Sequence, residues 1–245
     1  MATTTTVDAA APAHSRSLVA RIAGVIFAPR STYADVTARP HFLGVLGFVL
    51  VVTVTGVFLF MSTAVGQEAM LDQQIRQMES FGRTVNDQAY ARMEQMAPYA
   101  RYFAGAGQLV ALPLVALLVA ALAFVVFSAA LGGDATFKQV YAIVVHSGVI
   151  IALQQVFVLP LAYARQTLSG PTNLAVFLPF LDENTFVARL LGSIDLFLIW
   201  WMVSLAIGLG VLYRKRTGPI AATLLVIYVA IGLTIAAIKT ASSGV

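Results

Sequence analysis

His146 is an ionisable side chain set in an apolar run, AIVVHSGVII. An imidazole in hydrocarbon surroundings can relay protons, contact a polar solute or tie helices together. Gln154 follows eight residues later, with Gln155 beside it. On a helix that places Gln154 about 80° round and roughly 12 Å along from His146. The three side chains could line a polar face for a channel or small-solute carrier. A proton relay needs acidic partners and none lies in this stretch, so hydrogen bonding between helices is the favoured reading. Asp195 is the fourth polar candidate. A helix beginning just after it would span about 27 Å over residues 196–213. Asp195 would then be its N-cap near the headgroups, favoured by the helix dipole, with Gly192 and Ser193 breaking the chain before it.

The remaining patterns argue against catalysis. His14, His41 and His146 are far apart and fit no HExxH spacing, and no GxSxG elbow, Walker loop or GxGxxG fingerprint occurs. His146 and Ser147 are adjacent, so a helix points them to different faces and they make no nucleophile–base pair. There is no cysteine, which removes thiol catalysis, disulfides and cysteine-ligated metals. The reading is a non-catalytic protein with no catalytic residue, no cofactor and no metal.

The elements that position these residues follow from composition. The chain is 59% hydrophobic and 11% charged, and its mean hydropathy is +0.86. Soluble domains carry about 25% charged residues. Five apolar stretches, at about 42–65, 108–131, 140–162, 190–213 and 220–238, meet the length needed to cross a bilayer. They contain one acid, Asp195, and no lysine or arginine. The stretches are continuous rather than alternating, which selects helices over barrel strands. The expected fold is all-α, a polytopic membrane helical bundle with about five transmembrane helices.

Orientation follows the basic residues. Five spans put 1–41, 132–139 and 214–219 on one side, with Arg16, Arg21, Arg30, Arg39, Lys138, Arg214, Lys215 and Arg216. The other side carries Arg76, Arg83, Arg92, Arg101, Arg165, Arg189 and Lys239 over longer segments. The denser set, with Arg214-Lys215-Arg216 at a helix end, places the N-terminus in the cytoplasm and the C-terminus outside, in a cell membrane. The net charge of +4 fits anionic lipid surfaces better than nucleic acid, because no basic stripe interleaved with aromatics exists. Arg16, Arg21, Arg214, Lys215 and Arg216 are the candidate lipid contacts. The expected partners are the lipid bilayer and other membrane proteins or a second copy, with no nucleic acid.

Around the spans, residues 1–16 read as a disordered leader without the apolar core of a signal peptide, and 239–245 as a tail. Residues 17–41 form a cytoplasmic amphipathic segment. Leu18, Val19, Ile22, Val25 and Ile26 make its stripe, and Arg16 and Arg21 reach toward headgroups. Pro29 ends one helix and a second stops before Pro40. The extracytoplasmic loop 66–107 reads as two helices divided at Gly82, with Asp72–Arg76 and Glu79–Arg83 as four-spaced ion pairs and a methionine-bearing stripe. The apolar piece 173–181 is too short to span and reads as interfacial or re-entrant. Small residues four apart, Ala116/Ala120, Ser204/Gly208, Ala206/Gly210 and Gly232/Ala236, signal close helix contacts within a bundle or a dimer.

Three stretches resemble the Yip1 domain family: IFAPRSTYADVTARP ahead of the first span, LGGDATFKQVYAIVVHS leading into the third, and PFLDENTFVARLLGSIDLFLIWWMVSLAIGLG around the fourth. The resemblance covers roughly residues 18–238, and 42–238 would be its membrane domain. It implies five membrane helices, a cytoplasmic N-terminus and no catalytic residues. For eukaryotic relatives it implies vesicle traffic, membrane shaping and small-GTPase partners; some bacterial relatives resemble accessories to ABC-type export systems. The short N-terminal segment and long 66–107 loop depart from the eukaryotic pattern. The function implied is a non-catalytic organiser of membrane or partner proteins, accessory to a transport system.

Overall fold

The structure, a computed structural model, describes residues 16–130, 132–168, 170–182 and 185–242. The expected leader lies outside these residues except for Arg16. Among the described residues the chain is helical, and an isolated bridge between Asn173 and Asp195 is its one strand-like pairing.

Helix α1 (Leu18–Phe27) is capped by Ser17, whose side chain accepts from the Ala20 amide. Pro29 opens α2 (Pro29–Ala38), where its fixed φ suits a first turn. The two helices form a tight hairpin, because Gly24 lets Thr32 approach closer than any Cβ would allow. α3 (Leu43–Met61) follows, then α4 (Ala64–Ser80) and α5 (Asp87–Met96). α4 ends at Gly82 as the sequence indicates. Gly82 has φ 73°, and the Arg83 and Gly82 amides donate to the Met78 and Glu79 carbonyls at 3.0 and 2.8 Å. That is a Schellman ending, which needs a left-handed residue. The Asp72–Arg76 pair forms at 4.0 Å on the exposed face.

α6 (Ala100–Phe124) starts about two turns before the expected span and runs on through a π turn over Val125–Ala130. α7 (Phe137–Ser147) opens on a capping box made by Thr136 and Gln139. α8 (Val149–Arg165) continues the same apolar stretch after a break at Gly148, where the Ser147 hydroxyl bonds back to the Val144 carbonyl. A short α9 (Phe186–Gly192), α10 (Leu196–Leu212) and α11 (Thr217–Ser242) complete the chain.

Four helical stretches are long and apolar enough to cross a membrane: Leu43–Met61, a run within Asp87–Ser128, Phe137–Arg165 and Thr217–Ala241. Within the stretch expected over 190–213 the helix begins after Asp195, where the sequence places its N-cap. The chain breaks over Ser193–Asp195, and the helix that follows has 17 residues, roughly 26 Å of rise. It is a shorter fifth apolar helix. The piece expected to be interfacial or re-entrant contains a single 3-10 turn, Leu174–Phe177, with Phe177 and Phe180 exposed.

Packing centres on α2, which drives Tyr33 and Val36 between α7 and α10 against Val140, Ile143, Leu205 and Leu209. A second cluster joins Val25 of α1 to Val45 and Val49 of α3 and to Val145 and Ile150. Large apolar side chains on the outer faces of α6 and α11, such as Leu114, Leu118, Leu122, Val226 and Ile231, stay exposed, as lipid-facing surfaces should.

Candidate functional site

At one end of the bundle α1 and α2 meet α7 and α10. The Tyr33 hydroxyl and Ser204 Oγ are 2.6 Å apart, fully buried. Gly208, one turn on, is where the Tyr33 ring rests; a Cβ there would press on the ring and on Ile143. The expected small-residue pair Ser204/Gly208 is thus a seat for an aromatic side chain from the N-terminal hairpin. Burial pushes the Tyr33 hydroxyl pKa well above its ordinary value, so it stays protonated. Gln139 Nε2 donates to the Thr37 carbonyl at 2.9 Å, which fixes the end of α2 to the start of α7.

Arg21 corrects the expectation of a headgroup contact. It is only 6% exposed, and it points into the protein. Its Nη2 lies 3.1 Å from Asp35 Oδ2 and its Nη1 donates to the His41 carbonyl at 3.1 Å. Arg16, half-buried, donates to Thr32 Oγ1 at 2.8 Å. The outward face of α1 is instead apolar, with Val19 74% and Phe27 84% exposed. An apolar outer face over an inward arginine suits a helix sunk in the bilayer boundary, with the charge neutralised inside.

His146 lies beneath this hairpin, 0% exposed. Its Nδ1 is 2.7 Å from the Ala142 carbonyl, whereas Nε2 has no hydrogen-bond partner. Arg21 and Asp35 are near enough to act on the ring electrostatically. His146 thus lies under the hairpin that carries the Arg21–Asp35 pair, a placement that spacing within one helix does not reveal.

Gln154 belongs to a different cluster from His146, and it joins two helices. Gln154 Nε2 donates to Asp195 Oδ1 at 3.1 Å, and Gln155 is half-buried on the same helix. Asp195 is the N-cap of α10, its Oδ1 accepting from the amides of Phe197 and Leu198 at 2.8 and 3.1 Å. Thr172 donates to its other carboxylate oxygen. The Tyr228 hydroxyl accepts from the Asp195 amide at 2.9 Å and donates to the Ser193 carbonyl at 2.8 Å. Asp195 thereby binds the 170s loop, α8, α10 and α11 together. Thr172 and Tyr228 were not singled out from the sequence, since only the fold brings them there.

Arg214, Lys215 and Arg216 are exposed at the end of α10. Arg214 has φ 54°, the left-handed position that closes a helix, and the Lys215 amide donates to the Gly210 carbonyl at 2.9 Å. Together with Gly132, Gly133 and Asp134, Arg214 and Lys215 line a cavity of about 440 Å³. Stacking of Tyr213 on Phe127, 5.0 Å between ring centres, brings this turn against the 132–136 segment. Among the described residues no three metal-ligating side chains gather.

A family model described as the Yip1 domain matches residues 23–238. The chain belongs to the Yip1 domain family. Comparison with curated proteins and with solved structures gives no match. The three stretches that carry the Yip1 resemblance are the ones that meet in space. The first supplies Tyr33, Asp35 and Thr37, the second Gln139 and His146, and the third Ser204 and Gly208. In this chain the Yip1 pattern thus describes a packing junction where an N-terminal hairpin is locked into a membrane bundle.

Proposed function

We propose that this chain is a non-catalytic Yip1-type protein of the cell membrane that organises partner proteins or the bilayer, as an accessory to a transport system. Its N-terminus faces the cytoplasm and its C-terminus the outside. The observation that carries the reading is the use made of the intramembrane polar groups. Tyr33 is joined to Ser204 and Gln154 to Asp195, so these groups lock helices together. At the hairpin end exposed charges stand beside exposed apolar residues: Arg30, Lys138 and Arg214–Arg216, with Val19 and Phe27. That combination suits contact with an anionic leaflet and with membrane partners, another protein or a second copy.

The carrier reading needs His146 and Gln154 on one continuous polar face, and they belong to separate clusters. A flux assay on sealed vesicles separates the two readings. The organiser reading expects no solute flux with the wild-type chain, and expects His146→Leu to keep the partners of the wild type in a mild-detergent pull-down. Flux through the wild type that His146→Leu abolishes would overturn it.

A further inference from the structure

The end of the bundle opposite the hairpin holds a second cavity, of about 510 Å³, open on one side. Arg165, Arg189 and Lys239 reach it from three different helices: the last residue of α8, the middle of α9 and the last turn of α11. Two of them are held in place. Arg189 donates to Thr240 Oγ1 at 3.4 Å, and the Lys239 ammonium sits 5.5 Å from the centre of the Phe81 ring. Asn173 and Ser193 supply uncharged polar groups, and Leu178, Pro179 and Ile235 an apolar wall. Asn173 is fixed by the bridge to Asp195, so the knot around Asp195 also shapes this cavity. The carboxylate of Asp195 is committed to its own donors and does not line it. Asp182 and Glu183 follow Leu181 in the sequence; counting both against the three cations still leaves one positive charge in excess.

We propose that this cavity is a phosphate-binding site whose ligand is an anionic phosphate-bearing amphiphile. Guanidinium groups match phosphate oxygens in paired hydrogen bonds, and an ammonium adds a point charge. Arg165 and Lys239 sit where their helices end, the level of lipid headgroups, and the wall at Ile235 runs onto the exposed outer face of α11 along which an acyl chain would lie. A free phosphate compound entering from the aqueous side carries the same recognised group.

The test uses the full chain in detergent with Arg214→Gln, Lys215→Gln and Arg216→Gln in place, so that the opposite end adds no anion binding. Native mass spectrometry reads retained phosphatidylglycerol against phosphatidylcholine, and a parallel titration reads inorganic phosphate. The background protein should retain phosphatidylglycerol preferentially, and Arg165→Gln with Lys239→Gln should lower that retention by about tenfold or more, as expected for lost charge-assisted contacts. Gly192→Leu keeps every charge and fills the cavity, since a Cβ there meets only Asn173 Nδ2 at 4.0 Å; it should lower retention equally. Binding of inorganic phosphate with the same response to both variants, and no lipid preference, would identify a soluble ligand for the same site. Retention of lipid and phosphate unchanged in both variants would overturn the proposal.

Discussion

The Tyr33 hydroxyl meets Ser204 Oγ at 2.6 Å, joining side chains 171 positions apart in a fully buried contact. It ties the segment ahead of the first span to the interior of α10. The N-terminal hairpin is consequently part of the bundle, held by an aromatic ring on Gly208 and by the bond from Gln139 to Thr37, while the Arg21–Asp35 pair ties its own two helices together. A partner that pulls on this hairpin pulls on α7 and α10.

Tyr33→Phe leaves Ser204 without that bond and should cost about 1–2 kcal/mol of stability. Gly208→Val should cost more, because its side chain collides with both the Tyr33 ring and Ile143. Thermal unfolding in detergent measures both, and the expected order is wild type, then Tyr33→Phe, then Gly208→Val.

Arg21→Ala strands a mostly buried carboxylate, since the Asp35 side chain is 18% exposed. Loss of one partner of a buried pair typically costs about 3–5 kcal/mol. Arg21→Met combined with Asp35→Leu removes both charges and should recover most of that loss. The same unfolding measurement checks it; a double variant as unstable as Arg21→Ala contradicts the pairing.

How far the sequence reveals this arrangement depends on the range of each interaction. The apolar stretches are legible because charge in hydrocarbon is costly over any window. The Asp195 cap and the Gly82 break are legible because caps act over two or three residues. The inward turn of Arg21 has a signature in the sequence. Arg21 lies four residues before Val25, on the buried face, and Asp35 is the sole acid between residues 9 and 67. Neither the seating of Tyr33 on Ser204 nor the contact of Thr172 with Asp195 has a local signature, since each depends on how distant helices cross. The separation of His146 from Gln154 likewise follows from what packs on each of them, the α1–α2 hairpin and the Asp195 loop.

Arg214 occupies a left-handed position that glycine takes without strain. Arg214→Gly should therefore hold or raise stability, by up to about 1 kcal/mol, while weakening binding to anionic vesicles. Vesicle co-sedimentation alongside thermal unfolding separates the two effects. Unchanged vesicle binding would remove this residue from the lipid-contact surface.

The native chain has no cysteine, so single replacements report topology cleanly. Lys215→Cys should be shielded from an impermeant thiol reagent in intact cells, and Ser80→Cys should react. Labelling of both, or the reverse pattern, contradicts the proposed orientation.

His146→Leu should be neutral or stabilising, because it removes a buried nitrogen that has no partner. A loss beyond about 2 kcal/mol in thermal unfolding would mean that His146 makes a bond the fold depends on.

The mass of the assembly extracted from its own membrane in mild detergent bears most directly on the organiser reading. The account predicts a discrete complex in which this chain is bound at fixed stoichiometry to another membrane protein or to a second copy of itself. Extraction of the chain alone, at every detergent mild enough to keep it folded, would contradict it.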